Sequence, residues 1–190
     1  KLVTLLKKNL VLTGMMGVGK TTIGKKLSVK LKTRFVDIDQ IIEKSEKKTI
    51  REIFETRGEV YFRKIEKNIT LNTLKKKNLV IALGGGAFMN SSVRREVISS
   101  SISIWLHLSE KSLIKRLKNI KKRPLLNEDS LKEDINKIYS ERKKYYGQSD
   151  FKIKCDSLDL NQIVEKIMKL YENTKNSIYR LKTKVLDFYW

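Results

Sequence analysis

The sequence predicts a three-layer α/β/α fold, in which a five-stranded parallel sheet is covered by helices on both faces. Strand-like apolar runs alternate with helix-like segments along the whole chain, with no internal repeat and no low-complexity linker. The 190 residues suffice for one substantial core and are short for two. Strands separated by helices run parallel and are covered on both faces, so a ligand is expected at their carboxyl ends.

NLVLT, Asn9 to Thr13, is the first strand and leads into a glycine-rich loop, after which Thr22 to Lys32 continues as a helix. RFVDID, Arg34 to Asp39, is the second strand and is followed by helical IIEKSEK. Thr49 and Glu52 have the spacing of a capping box, as do Ser130 and Glu133, so each pair is expected to open a helix. NLVIAL, Asn78 to Leu83, is the third strand and runs into Gly84, Gly85 and Gly86. SISIWLHL is the fourth and contains His107, the only histidine, at a strand position. FKIKC, Phe151 to Cys155, is the fifth. Asp159 and Gln162 open a last helix that carries Ile163, Val164, Ile167 and Leu170 at helical spacing. A single domain is expected over 1–173, and Thr174 to Trp190 forms an extension beyond the expected end of that helix, with no assigned role.

One cysteine and one histidine remove disulfide frameworks, zinc clusters and most histidine-dependent triads from consideration. No run approaches the roughly 18 apolar residues that a membrane-spanning helix needs. The amino end could pass for a signal peptide, but the glycines fit a phosphate loop better and no small-residue cleavage site stands out, so a cytoplasmic protein is expected. The net charge of +21 could indicate nucleic-acid binding. The lysines, however, are spread in short runs and no aromatic-rich strand is present to stack bases, so a solvated basic surface is the expectation, one that favours anionic small substrates.

Gly14, Gly19, Lys20 and Thr21 satisfy G-x-x-x-x-G-K-[ST] between a predicted strand and a predicted helix, which is the context the motif requires. The glycines let backbone N–H groups turn inward, and the helix amino end adds positive potential where a β-phosphate would sit. Lys20 can span the β- and γ-phosphates and the Thr21 hydroxyl can ligate magnesium. Gly14, Gly17, Val18, Gly19, Lys20, Thr21 and Thr22 are thus the expected nucleotide contacts.

LVIAL ends in three glycines, where a nucleotide hydrolase usually places its magnesium-associated aspartate. Asp37 and Asp39 are the substitutes: extended backbone would point both toward the same side, one orienting magnesium or its waters and the other meeting an acceptor hydroxyl, unless one only caps the next helix. In RGEVYFRKIEKN, Glu59, Arg63 and Glu66 fall on one helical face. This is either a surface ion-pair stripe or an arginine fork held for recognition of a carboxylate or hydroxyls.

GMMGVGKTTIGKKLS, FVDIDQIIE, IREIFETRGEVYFRKIE, VIALGGGAF, RLKNIKKRPLL and ERKKYY, in this order, resemble shikimate kinase. The resemblance implies a P-loop kinase of the nucleoside monophosphate kinase type with a mobile lid at about 119–130. The implied reaction moves the ATP γ-phosphoryl group to the 3-hydroxyl of shikimate, with Mg2+ as cofactor, in aromatic amino-acid biosynthesis. It implies that Asp39 accepts or orients the proton of the attacked hydroxyl, with Lys20 as the other catalytic residue, and that Asp37 sits near magnesium with Thr21. Arg63 and Arg142 match the pair that clamps the substrate carboxylate, Gly84 to Gly86 match backbone contacts to the ring, and Arg116 and Arg123 match nucleotide-side arginines. The family often carries proline two residues after the arginine corresponding to Arg142; this chain has Lys144 there, and Ser149 and Asp150 follow one residue sooner. A monomer acting on shikimate, with neither nucleic acid nor membrane as partner, is expected. Gluconate kinases and nucleoside monophosphate kinases would share the loop and lid but not the DID, FR and GGG combination, and a nucleic-acid-binding ATPase rests on charge alone.

Overall fold

A computed structural model describes residues 8–117 and 130–186, with side chains described as far as 174. The chain runs β1 (Asn9–Thr13), α1 (Lys20–Lys30), β2 (Arg34–Asp37), α2 (Ile38–Glu46), α3 (Ile50–Leu74), β3 (Leu79–Ala82), a 3-10 turn (Ala87–Met89), α4 (Ser91–Ser100), β4 (Ser101–His107), α5 (Glu110–Leu117), α6 (Leu131–Tyr146), β5 (Phe151–Lys154) and α7 (Leu160–Leu186). The strands form one parallel sheet in the order β2-β3-β1-β4-β5, and α1 packs with α7 while α3 packs with α4. β1 and β3 are buried along their whole length, as continuous apolar runs flanked on both faces must be.

All five strands fall within the apolar runs that placed them, and polar side chains fix their ends. The buried Asn9 amide donates to the Leu74 and Lys76 carbonyls at 3.2 and 2.7 Å and accepts from the Leu79 amide at 3.0 Å, which ties the end of α3 to both central strands. Asp150 accepts from the Ser103 amide and hydroxyl at 2.8 and 2.7 Å and so anchors the turn that enters β5. His107 ends β4 as expected, its Nε2 2.8 Å from the Tyr139 hydroxyl.

Two expectations change, on Asp39 and on the end of the last helix, and two local details at Ser130 and Lys144 are added. β2 stops at Asp37, and Asp39 lies in the first turn of α2, not in extended backbone. The capping box at Thr49 and Glu52 forms, but Ser130 makes no cap hydrogen bond and its hydroxyl donates instead to Asp134 Oδ2 at 2.9 Å. α6 runs unbroken through Lys144, a residue that retains the backbone N–H a proline would lack. α7 passes position 173 without a break and continues to Leu186.

Gly58 interrupts α3 with φ 78° and ψ 170°, a conformation open to glycine and strained for other residues. Nothing lies within 4 Å of where its Cβ would be, so backbone geometry and not space requires glycine here. The helical segment that starts at Glu59 is thereby re-aimed, and it carries Arg63 and Glu66.

Candidate active site

The site is built at the carboxyl ends of β1, β2 and β3. The loop after β1 turns on three positive-φ glycines, Gly14 (129°), Gly17 (78°) and Gly19 (96°), and delivers the chain into α1 at Lys20. Gly14 also needs its missing side chain for space, since a Cβ there would lie 2.5 Å from the Leu106 carbonyl oxygen. Gly19 caps α1 without a side-chain hydrogen bond, so no side chain covers the first turn where an anion would bind. Lys20 Nζ donates to the Gly14 and Met15 carbonyls at 2.8 and 2.9 Å, which holds the ammonium over the loop. Val18 is buried in the core and offers only its backbone.

Asp37 does two jobs. Its Oδ1 accepts from the Asp39 and Gln40 amides as the cap of α2, and its Oδ2 accepts from the Thr21 hydroxyl at 2.7 Å. Thr21 and Asp37 thus meet at one point, as magnesium ligation would demand. Among the described residues no group of three or more His, Cys, Asp or Glu could hold a metal. One hydroxyl and one carboxylate fit magnesium, which keeps waters and phosphate oxygens as most of its ligands. Gly17, Gly19, Lys20, Thr21, Thr22, Asp37, Asp39 and Gly85 line this cleft, of about 240 Å³.

A second cleft of about 570 Å³ adjoins it and is lined by Arg63, Glu66, Gly86, Arg142 and Lys144 among others. Arg63 is held as its spacing suggested: Nε and Nη2 donate to Glu59 Oε1 at 3.1 and 3.0 Å, and Nη1 donates to Glu66 Oε2 at 2.8 Å. Arg142 is buried and approaches Gly85 and Tyr146. Burial pushes the Tyr146 phenol up to about 12, so it stays protonated and donates to the Gly85 carbonyl.

The three glycines after β3 separate the clefts, and two of them, Gly84 and Gly86, have no room for a side chain. A Cβ on Gly84 would lie 2.5 Å from Glu66 Oε1 and 2.6 Å from Asp39 Oδ1. On Gly85 it would touch Arg142, and on Gly86 it would overlap the Arg63 guanidinium. Asp39 therefore stands where the clefts meet. Glu66, beside it, was read from sequence only as a partner of Arg63. It is 3% exposed, and burial, with help from the Asp39 charge, raises its carboxyl above the usual range although Arg63 opposes this. Its i,i+3 spacing to Arg63 was visible, but its approach to Asp39 depends on the chain fold.

Arg116 is exposed in the last turn of α5 and is not among the residues lining either cleft. Arg123 and nearly all of the expected lid lie outside the described residues.

The model of the shikimate kinase family matches residues 16–172. This chain belongs to the shikimate kinase family. A shikimate kinase of Persephonella marina is 41% identical over 161 residues, covering 85% of this chain and 97% of that protein. The shikimate kinase of Acinetobacter baumannii, solved in complex with shikimate, superposes with a TM-score of 0.85 at 30% identity, covering 89% of this chain and 95% of that one. A gluconokinase of Sinorhizobium meliloti reaches 0.61 at 16% identity, a likeness of fold alone. The shikimate kinase reaction is ATP-dependent phosphorylation of shikimate on the route to aromatic amino acids, and the enzyme is a phosphotransferase. Among the described residues no helix is long and apolar enough to cross a membrane.

Proposed function

We propose that the two clefts divide the reaction between them, the phosphate loop holding ATP and the Arg63 cleft holding shikimate, with the 3-hydroxyl directed at Asp39. The observation that carries this reading is the placement of Asp39 at the glycine wall between the clefts, beside Glu66 and within the cleft that contains Lys20. Arg63 and Arg142 offer two guanidinium groups to a carboxylate at the far end of the ring, the fork suiting its planar pair of oxygens. Gly84 to Gly86 let the ring approach backbone. Asp39 accepts or orients the proton of the attacking hydroxyl. Lys20 leaves the loop carbonyls for the phosphate oxygens and stabilises charge as the phosphoryl group moves.

Thr21 and Asp37 would hold magnesium, Asp37 through water. When bound, the ion neutralises phosphate charge and orients the γ-phosphoryl group. Arg116 and Arg123 act on the nucleotide, the second from a lid that excludes water from the γ-phosphate. The chain is proposed to act as a cytoplasmic monomer, with no nucleic acid or membrane as partner. 1–173 is proposed as the catalytic unit and Thr174 to Trp190 as an accessory extension.

A coupled ADP-release assay that offers shikimate, quinate, gluconate and nucleoside monophosphates in parallel tests the assignment. Turnover with shikimate alone is expected. Preferred turnover of gluconate or of a nucleoside monophosphate would overturn it.

A further inference from the structure

The shikimate cleft carries a cation that none of the motifs assigns. Arg63 is answered by Glu59 on one side and Glu66 on the other, so most of its charge is balanced within the protein. Arg142 is buried at the back of the cleft, against Gly85. Lys144 lines the same cleft but is exposed, and among the described residues no carboxylate lies within ion-pair distance of it. It therefore stands exposed in the cleft lining outside any ion pair among the described residues, with Glu141 and Lys67 elsewhere in the same lining.

Its head group is nevertheless located. Lys144 Nζ lies 5.1 Å from the centroid of the Tyr145 ring, which is itself approached by Arg94 at 4.7 Å. Arg94 in turn donates to the Phe88 and Met89 carbonyls and to Gln148, so the ring is pinned to the floor after the glycine wall. The unbroken course of α6 places Lys144 one turn beyond Glu141 on the side that opens to the cleft. Lys143, the next residue back, turns elsewhere, with Nζ 6.0 Å from the Tyr139 ring, and does not line the cleft.

We propose that Lys144 is a capture and specificity residue for the acceptor, a rim cation that draws the carboxylate of shikimate toward Arg63 and Arg142 and discriminates against uncharged analogues. A charge at the rim of a site changes arrival and salt dependence more than the chemistry inside. The inference rests on the assignment of shikimate to this cleft.

The test compares Lys144→Gln, Lys144→Arg and Lys143→Gln with wild type, reading kcat and both KM values at low and high salt, and equilibrium binding of shikimate without nucleotide. Lys143→Gln removes the same charge one residue away and so controls for the field of the whole protein. Lys144→Gln is expected to weaken shikimate about three- to fivefold at low salt, the scale of one exposed charge pair, with kcat and the KM for ATP unchanged. The difference should close at about 0.5 M salt, where the Debye length is only a few ångströms. Lys144→Arg and Lys143→Gln should resemble wild type, and the carboxamide of shikimate should bind equally to wild type and Lys144→Gln. Unchanged shikimate affinity in Lys144→Gln at low salt, or an equal loss in Lys143→Gln, would overturn the proposal. Wild-type turnover of shikimate, read in the same assay, reports separately on the function of the cleft.

Discussion

The Thr21 hydroxyl donates a 2.7 Å hydrogen bond to Asp37 Oδ2, joining the first turn of α1 to the cap of α2. Because Asp37 both caps and faces the phosphate loop, two substitutions separate its roles. Asp37→Asn keeps a capping side chain and should leave thermal stability nearly unchanged, whereas Asp37→Ala should cost about 1 kcal/mol. Both should raise the magnesium concentration needed for half-maximal turnover. Magnesium titrations indistinguishable from wild type would reduce Asp37 to a helix cap.

Lys20→Ala should lower turnover by at least about a hundredfold, the scale of losing one electrostatic donor to a transferring group. The fold should survive, since the ammonium rests on two loop carbonyls at the cleft and not in the core. Circular dichroism and the ADP-release assay together decide. A folded variant with near-normal activity would remove Lys20 from the mechanism.

Arg63→Ala should weaken shikimate by about ten- to a hundredfold while ATP affinity holds, as expected for a charge-assisted contact. The carboxamide of shikimate is the discriminating ligand. Wild type should lose heavily on that change and Arg63→Ala should lose little more, having no such contact left to lose. Equal losses in both proteins would mean that Arg63 does not read the carboxylate.

Glu66 makes the same substitution depend on pH. A carboxyl whose folded pKa stands above its ordinary value of 4.5 binds its proton more tightly when folded, so stability falls as pH rises from 4.5 through the raised value and stays low above it. Removal of Arg63 deletes the main influence that holds Glu66 down and widens that window. Arg63→Ala should therefore be destabilised by about 2–3 kcal/mol at pH 8, less than for a fully buried pair because Arg63 is 30% exposed, and by much less at pH 5. Adding Glu66→Gln should abolish the pH dependence of the deficit. Chemical denaturation at the two pH values measures it, and a deficit independent of pH would show that Glu66 is not its source.

Gly84→Ala should express and fold but lose most activity, because its methyl group would lie 2.5 Å from Glu66 Oε1 and 2.6 Å from Asp39 Oδ1 and would push both carboxylates from the junction of the clefts. Steady-state kinetics should show the loss mainly in kcat. An active Gly84→Ala enzyme would place the reacting hydroxyl away from Asp39.

What the sequence made legible follows from how local each signal was. The phosphate loop, the strands and the pairing of Arg63 with Glu59 and Glu66 all rest on short spacings that a single element fixes. Asp39 was read as extended strand backbone, because two aspartates two apart suit a strand end and a capped helix start equally well, and only the Asp37 cap decides. Ser130 and Glu133 had the right spacing, yet Asp134 took the serine hydroxyl, so spacing alone cannot choose between neighbouring carboxylates. The approach of Glu66 to Asp39, the tether from Tyr146 to Gly85 and the placement of Lys144 depend on α3, α6 and the glycine wall meeting in space. No local pattern encodes them.

The central position of β1 governs the order in which a nascent chain can acquire function. Its neighbours are β3 and β4, so Leu10 pairs with Val80 and with Ile102, and neither partner has been synthesised when the phosphate loop leaves the ribosome. Contacts so distant along the chain close slowly. A ribosome-stalled chain that ends before β3 therefore carries the whole nucleotide motif without the sheet that shapes it, and the ability to hold a nucleotide should emerge during translation only after the glycine wall and β4 have cleared the exit tunnel.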